Sequence, residues 1–146
     1  MDLQYVNEYI GRKVCYSTIA NFEGFNKNIN LDSTVVAIYF HRLFRKDNKL
    51  FFLKKIISCN PLAIFLSGKE SHNSFNLLLE MLSKQKEGGH VMTYIEDGSD
   101  WIPSFFYSTW PSEERHDFWK EYLVIEIGNN KYLNDIEKFI VKDVGL

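Results

Sequence analysis

The chain has 146 residues, 45% of them hydrophobic and 25% charged, the size and balance of one domain that buries its own core without metal or disulfide help. A formal net charge of -2 argues against a general nucleic-acid binder, whose electrostatic footprint is a basic excess. Cys15 and Cys59 stand far apart and outside any C-x-x-C or Cys/His cluster, which points away from a disulfide framework or zinc site and toward a reducing compartment.

The N-terminus, MDLQYVNEYIGRK, carries acids where a signal peptide carries lysines. No run approaches the roughly 20 apolar residues of a membrane span, so a cytoplasmic protein without membrane contact is expected. Leu3, Val6 and Ile10 fall at helical spacing ahead of Gly11, which predicts a helix over residues 2–10. The rest of 1–33 reads as an irregular segment packed on the domain, with an Asn-rich loop and an optional strand over Val14–Ile19.

TVVAIYF, residues 34–40, is β-branched and apolar throughout, the mark of a strand. Lys46 to Cys59 reads as a helix with Leu50, Leu53, Ile56 and Ile57 on one face, ended by Asn60-Pro61. LAIFLSG, residues 62–68, has no polar interruption before Ser67, as in a strand covered on both faces. Ser67 and Glu70 then have capping-box spacing, and Phe75, Leu78, Leu79 and Leu82 continue a helix to a stop at Gly88-Gly89. A third strand is expected over residues 90–95. Two helical pieces, 103–109 and 112–121, lead to a strand at 123–127 and a last helix carrying Leu133, Ile136 and Ile140. Alternation of this kind predicts an α/β fold. The expected form is a three-layer sandwich of Rossmann-like or flavodoxin-like type, with a mainly parallel sheet of four to five strands, and residues 1–146 as a single domain.

Charge is polarised along the chain. From His41 to Gly88, Arg42, Arg45, Lys46, Lys49, Lys54, Lys55, Lys69, Lys84 and Lys86 outnumber Asp47, Glu70, Glu80 and Glu87. From Glu96 to Glu126 eight acids face only Arg115 and Lys120. This acidic stretch also holds Tyr94, Trp101, Phe105, Phe106, Tyr107, Trp110, Phe118, Trp119 and Tyr122 within or beside it. Two short helices cannot bury so many rings, so Trp101 and Trp110 are expected at least partly exposed, with Phe105, Phe106 and Phe118 in the core. Exposed Trp among charges is the composition of a binding hot spot.

No motif carries catalysis. Ser67-Gly68-Lys69 departs from the P-loop pattern, because Ala63 stands at the first glycine and Glu70 at the Ser/Thr position. There is no G-x-S-x-G elbow, and His41, His72, His90 and His116 are scattered without metal-ligand spacing. Glu96, Asp97 and Asp100 do not match a calcium loop and suit a solvated acidic turn. No cofactor or metal is expected.

Residues 61–128 resemble an uncharacterised family of small bacterial α/β domains. Met92-Thr93, Phe105-Phe106, Pro111, Trp119 and Gly128 carry the resemblance, which implies a fold and no assigned reaction. That family has a Trp-His pair after the Thr where Tyr94-Ile95 stand here, so no role of that histidine transfers.

The leading expectation is a non-enzymatic protein-binding module of the bacterial immunity or antitoxin type that covers a basic toxin. Its surface is expected to comprise Glu96, Asp97, Asp100, Trp101, Trp110, Glu113, Glu114, Asp117 and Glu121. The alternative is a nucleotide- or phosphate-binding domain that uses Arg42, Lys69 and His72 in the loops at the strand ends.

Overall fold

The computed structural model describes residues 1–84 and 90–143; the helix stop expected at Gly88-Gly89 lies outside them. In chain order the elements are β1 (Gln4–Tyr9), β2 (Arg12–Ile19), β3 (Thr34–Phe40), α1 (Lys46–Ser58), β4 (Ala63–Gly68), α2 (Ser71–Lys84), β5 (Met92–Ile95), α3 (Trp101–Ser108), β6 (Glu121–Ile127) and α4 (Leu133–Asp143). Short 3-10 segments occupy Phe22–Gly24 and Glu113–Phe118, the second standing where a helical piece over 112–121 is expected. The strands form one mixed sheet in the order β1-β2-β6-β3-β4-β5. β1 pairs antiparallel with β2, and every other neighbouring pair is parallel.

The fold is therefore α/β as expected, but the sheet has six strands and is mixed rather than mainly parallel with four to five. The difference arises at the N-terminus. Residues 4–9 form an edge strand instead of a helix, joined to β2 by the two-residue loop Ile10-Gly11 with φ of 51° and 76°. Two positive φ values in succession make the tight hairpin turn whose twist matches paired strands. Apolar spacing at positions 3, 6 and 10 suits a helix, yet Leu3 and Ile10 are exposed and Tyr9 is the one ring of this strand that enters the core.

Helices cover both faces, so strands β3, β4 and β6 are buried on both sides; β3 and β4 read as continuous apolar runs, and the buried part of β6 is interrupted by Glu126. On one face Val36, Ile38, Ile64, Leu66, Leu123 and Ile125 pack under α1, α2 and Phe22. On the other, Val35, Ala37, Phe65, Tyr122 and Val124 pack under α3 and α4. The chain leaves β3 toward the first face and β6 toward the second. Their adjacent carboxyl ends thus form the kind of switch point where open α/β sheets hold ligands.

The expected capping box at Ser67 and Glu70 does not form. Ser67 belongs to β4 and its hydroxyl donates to the Glu96 carbonyl. Glu70 adopts φ 54° and its carboxylate accepts from the Lys49 ammonium at 3.1 Å. Gly68 makes this turn possible: its φ is 91°, and a Cβ there would stand 2.3 Å from the Phe40 carbonyl oxygen. Within α2 the register is also shifted. Ser74, Leu77, Leu78 and Met81 form the buried side, while Leu79 is exposed.

Candidate functional site

The acidic aromatic stretch is divided by the topology. Glu96, Asp97 and Asp100 follow the carboxyl end of β5, whereas Glu113, Glu114 and Asp117 precede the amino end of β6. Since β5 and β6 run in the same direction through parallel neighbours, these two acid groups lie at opposite ends of the sheet. At the first end, Glu96 accepts from the Gly98 N–H at 3.0 Å and Asp97 meets the His72 ring at 2.9 Å. Asp100 is exposed and makes no capping bond to α3. Glu121, half-buried, lies 3.4 Å from the Thr34 hydroxyl.

The expectation of an exposed Trp101 is overturned. Its indole is 1% exposed, wedged between Tyr39 and Tyr132 with ring centroids at 5.2 Å and against Phe65. The helix α3 starts at Trp101 rather than near Pro103, and this places Trp101 with Ile102, Phe105 and Phe106 on its buried side. Phe118 is corrected in the opposite direction. Expected in the core, it is 57% exposed, and Trp110, at the other end of the same segment, is 56% exposed.

Between these two rings the segment from Trp110 to Phe118 is anchored at both ends. Its entry is fixed by buried Thr109 and Pro111 and by the Tyr94 hydroxyl donating to the Trp110 carbonyl at 2.8 Å. Its exit is fixed by Trp119, whose ring stacks under the Arg12 guanidinium at 3.8 Å and whose carbonyl accepts from Arg12. The 3-10 geometry turns Glu113, Glu114 and Asp117 to solvent along with Phe118. Of the nine residues expected to form a docking surface, four remain together here: Trp110, Glu113, Glu114 and Asp117.

A polar cluster that the sequence reading passed over lies at the switch point. The Glu126 side chain is fully buried near the end of β6, and it accepts from the Tyr16 hydroxyl, the His41 Nε2–H and the backbone N–H groups of Lys131 and Tyr132. The four donors come from β2, from the residue after β3 and from the approach to α4, so one carboxylate ties three strands and a helix together. Such a buried group is tolerated only when its hydrogen bonds are satisfied. Beside it Tyr132 donates to the Tyr39 hydroxyl at 3.2 Å, while the Trp101 N–H meets no acceptor among the described residues.

Burial raises the pKa of Tyr9, Tyr16, Tyr39 and Tyr122, with Tyr122 pushed up to about 12 and the others further. The carboxylates beside Tyr9 and Tyr16, Asp143 and Glu126, add to the effect. In the unfolded chain tyrosine ionises near pH 10, so above that pH the unfolded state sheds protons that the folded state keeps. Stability is then fully present below about pH 10 and falls as pH rises from there through the folded values. In an absorbance titration at 295 nm, at least these tyrosines should stay silent until the chain unfolds; normal titration of all eight in the folded protein would contradict the buried cluster.

The three residues of the alternative ligand site are not gathered into one pocket. Arg42 donates to the Ala20 carbonyl at 2.9 Å and lies over the Phe44 ring at 4.6 Å. His72 faces Asp97, and the Lys69 N–H is bonded to the Phe40 carbonyl at 2.8 Å. Arg42 instead lines a cleft of about 610 Å³ between α1 and the Phe22 turn, with Phe44, Arg45, Phe51 and Lys55. A second cleft of about 570 Å³ runs between α1 and α2, bordered by Lys46, Lys54 and Lys84 over Leu50 and Met81. Among the described residues, no group of three or more His, Cys, Asp or Glu side chains converges, and no helix is long and apolar enough to cross a membrane.

No family model, no curated protein and no solved structure matches this chain.

Proposed function

We propose that the protein is a non-enzymatic binding module that docks a basic protein partner on the segment Trp110–Phe118. One observation carries this reading: two large rings, each more than half exposed, bracket three solvent-facing acids on a turn pinned at both ends. Trp is among the residues that dominate binding energy when they fill a partner's pocket, and the acids speed encounter with a cationic surface. The anchoring at both ends supports the reading as well, because a surface tied down before binding loses less conformational freedom on binding. The class of function that fits is the bacterial immunity or antitoxin type, in which a small acidic protein covers a basic toxin in the cytoplasm.

The test is capture with the purified protein as bait from its own cells at low salt, followed by titration of whatever basic protein is retained at near-equal amount. Trp110→Ala and Phe118→Ala should each weaken that complex by roughly 30-fold, about 2 kcal/mol. Unchanged affinity in both variants, or no stoichiometric basic partner, would remove the reading.

A further inference from the structure

The outer side of α1 reverses the usual burial order. Lys49 is buried and held by Glu70 and Asn73 at 3.1 and 2.9 Å, while Phe51 on the same helix is 64% exposed. Phe51 lies on the boundary of the two clefts and lines both. Lys46, Lys54 and Lys84 stand around it, and the Lys55 ammonium lies 4.7 Å from its ring centroid. Across the two clefts Arg42, Arg45, Lys46, Lys54, Lys55 and Lys84 outnumber the acids Glu23, Asp47 and Glu80; Glu80 lies 3.0 Å from Lys84 and Asp47 3.9 Å from Arg45, so the face keeps a cationic surplus around an apolar centre.

The Trp110–Phe118 segment follows α3 and runs into Trp119, which packs on the α3 side of the sheet, and it has the converse make-up, with Glu113, Glu114 and Asp117 outnumbering Arg115 between two exposed rings. We propose that these two surfaces pair between copies of the chain, the Trp110–Phe118 segment of one copy seating on the Phe51 face of the next. This rests on the reading of that segment as a docking surface and names a second copy as one of its occupants. Rings meeting an apolar centre supply the desolvated core of an interface, and the surrounding acids and lysines set its register. Because α1 and α3 cover opposite faces of the sheet, the contact is heterologous and repeats from copy to copy into a ring or an open chain instead of closing as a two-fold dimer. A basic partner then competes with self-association for the same segment.

Sedimentation velocity from low micromolar to millimolar protein tests this. At low salt the average mass should climb with concentration, and the association constant should drop at least about 10-fold at high salt as exposed charges are screened. The triple variant Lys46→Glu, Lys54→Glu, Lys84→Glu should stay monomeric, and so should Glu113→Lys, Glu114→Lys, Asp117→Lys; mixing the two should restore association, since each then presents a surface complementary to the other. A wild-type chain that is monomeric throughout, or variants that fail to recover on mixing, overturns the pairing. The partner measurement separates the two ideas: the lysine-reversed variant should keep its basic partner and the acid-reversed one lose it. Loss of neither would sink the docking segment itself.

Discussion

Replacing Glu126 by alanine is expected to lower stability by about 3–5 kcal/mol, the range seen when one member of a buried, hydrogen-bonded polar group is removed. The reason is what the mutation leaves behind. Four donors converge on this one carboxylate. Without it the Tyr16 hydroxyl and two backbone N–H groups lose their acceptor, each at about 1–3 kcal/mol if water does not reach them. Tyr16→Phe removes a single donor and should cost about 1.5–3 kcal/mol, as for a hydrogen bond to a charged group. Glu137→Gln, on the exposed side of α4, should stay within about 0.5 kcal/mol. Urea unfolding checks all three, with an unchanged m-value showing that the effect lies in stability rather than in the extent of the unfolded chain. A loss below about 1 kcal/mol for Glu126→Ala would mean that the site is wetter than its burial implies.

Glu126 also shows where pattern reading stops. In LVIEI an acid after alternating aliphatics looks like the solvent side of a half-buried strand, and only a sheet covered on both faces makes it a core residue. The clue was nonetheless present in the continuous apolar character of β3 and β4, which already implied two covered faces. An acid inside a neighbouring strand of such a sheet must find donors. His41 directly after β3 and Tyr16 in the middle of β2 were the available ones. Their meeting depends on β6 inserting between β2 and β3, and strand order is a property of long-range pairing that local periodicity does not encode.

The interior strands and most helices were legible for the complementary reason. β3 matches TVVAIYF residue for residue, because buried β-branched runs have few alternatives. α1 begins at Lys46 as its spacing indicated. The edge was illegible, since a strand half in water carries few apolar positions, and spacings of three and four can be met by chance. The turn Ile10-Gly11 withheld its usual signal as well: positive φ in a hairpin is normally marked by Asn or Asp before Gly, and isoleucine in that conformation is strained.

For the aromatic segment, Trp110 is exposed and Phe105 and Phe106 are buried as composition suggests, while Trp101 and Phe118 exchange the places expected of them. The buried positions follow from where α3 begins: Asp100 precedes Trp101, and the helix starts at the indole with Pro103 in its first turn. This yields the second large expected effect. Trp101→Ala should cost about 3–5 kcal/mol, since it empties the volume among Tyr39, Phe65 and Tyr132. Trp101→Phe should cost clearly less than alanine, because a ring still fills most of that volume and the N–H that has no acceptor is removed together with the indole. Trp110→Ala should change stability by no more than about 0.5 kcal/mol, although it carries the larger role in binding. Thermal or urea unfolding of the three variants decides the matter. If Trp101→Ala proved as stable as Trp110→Ala, the sheet face under α3 would have to be looser than its interlocked rings indicate.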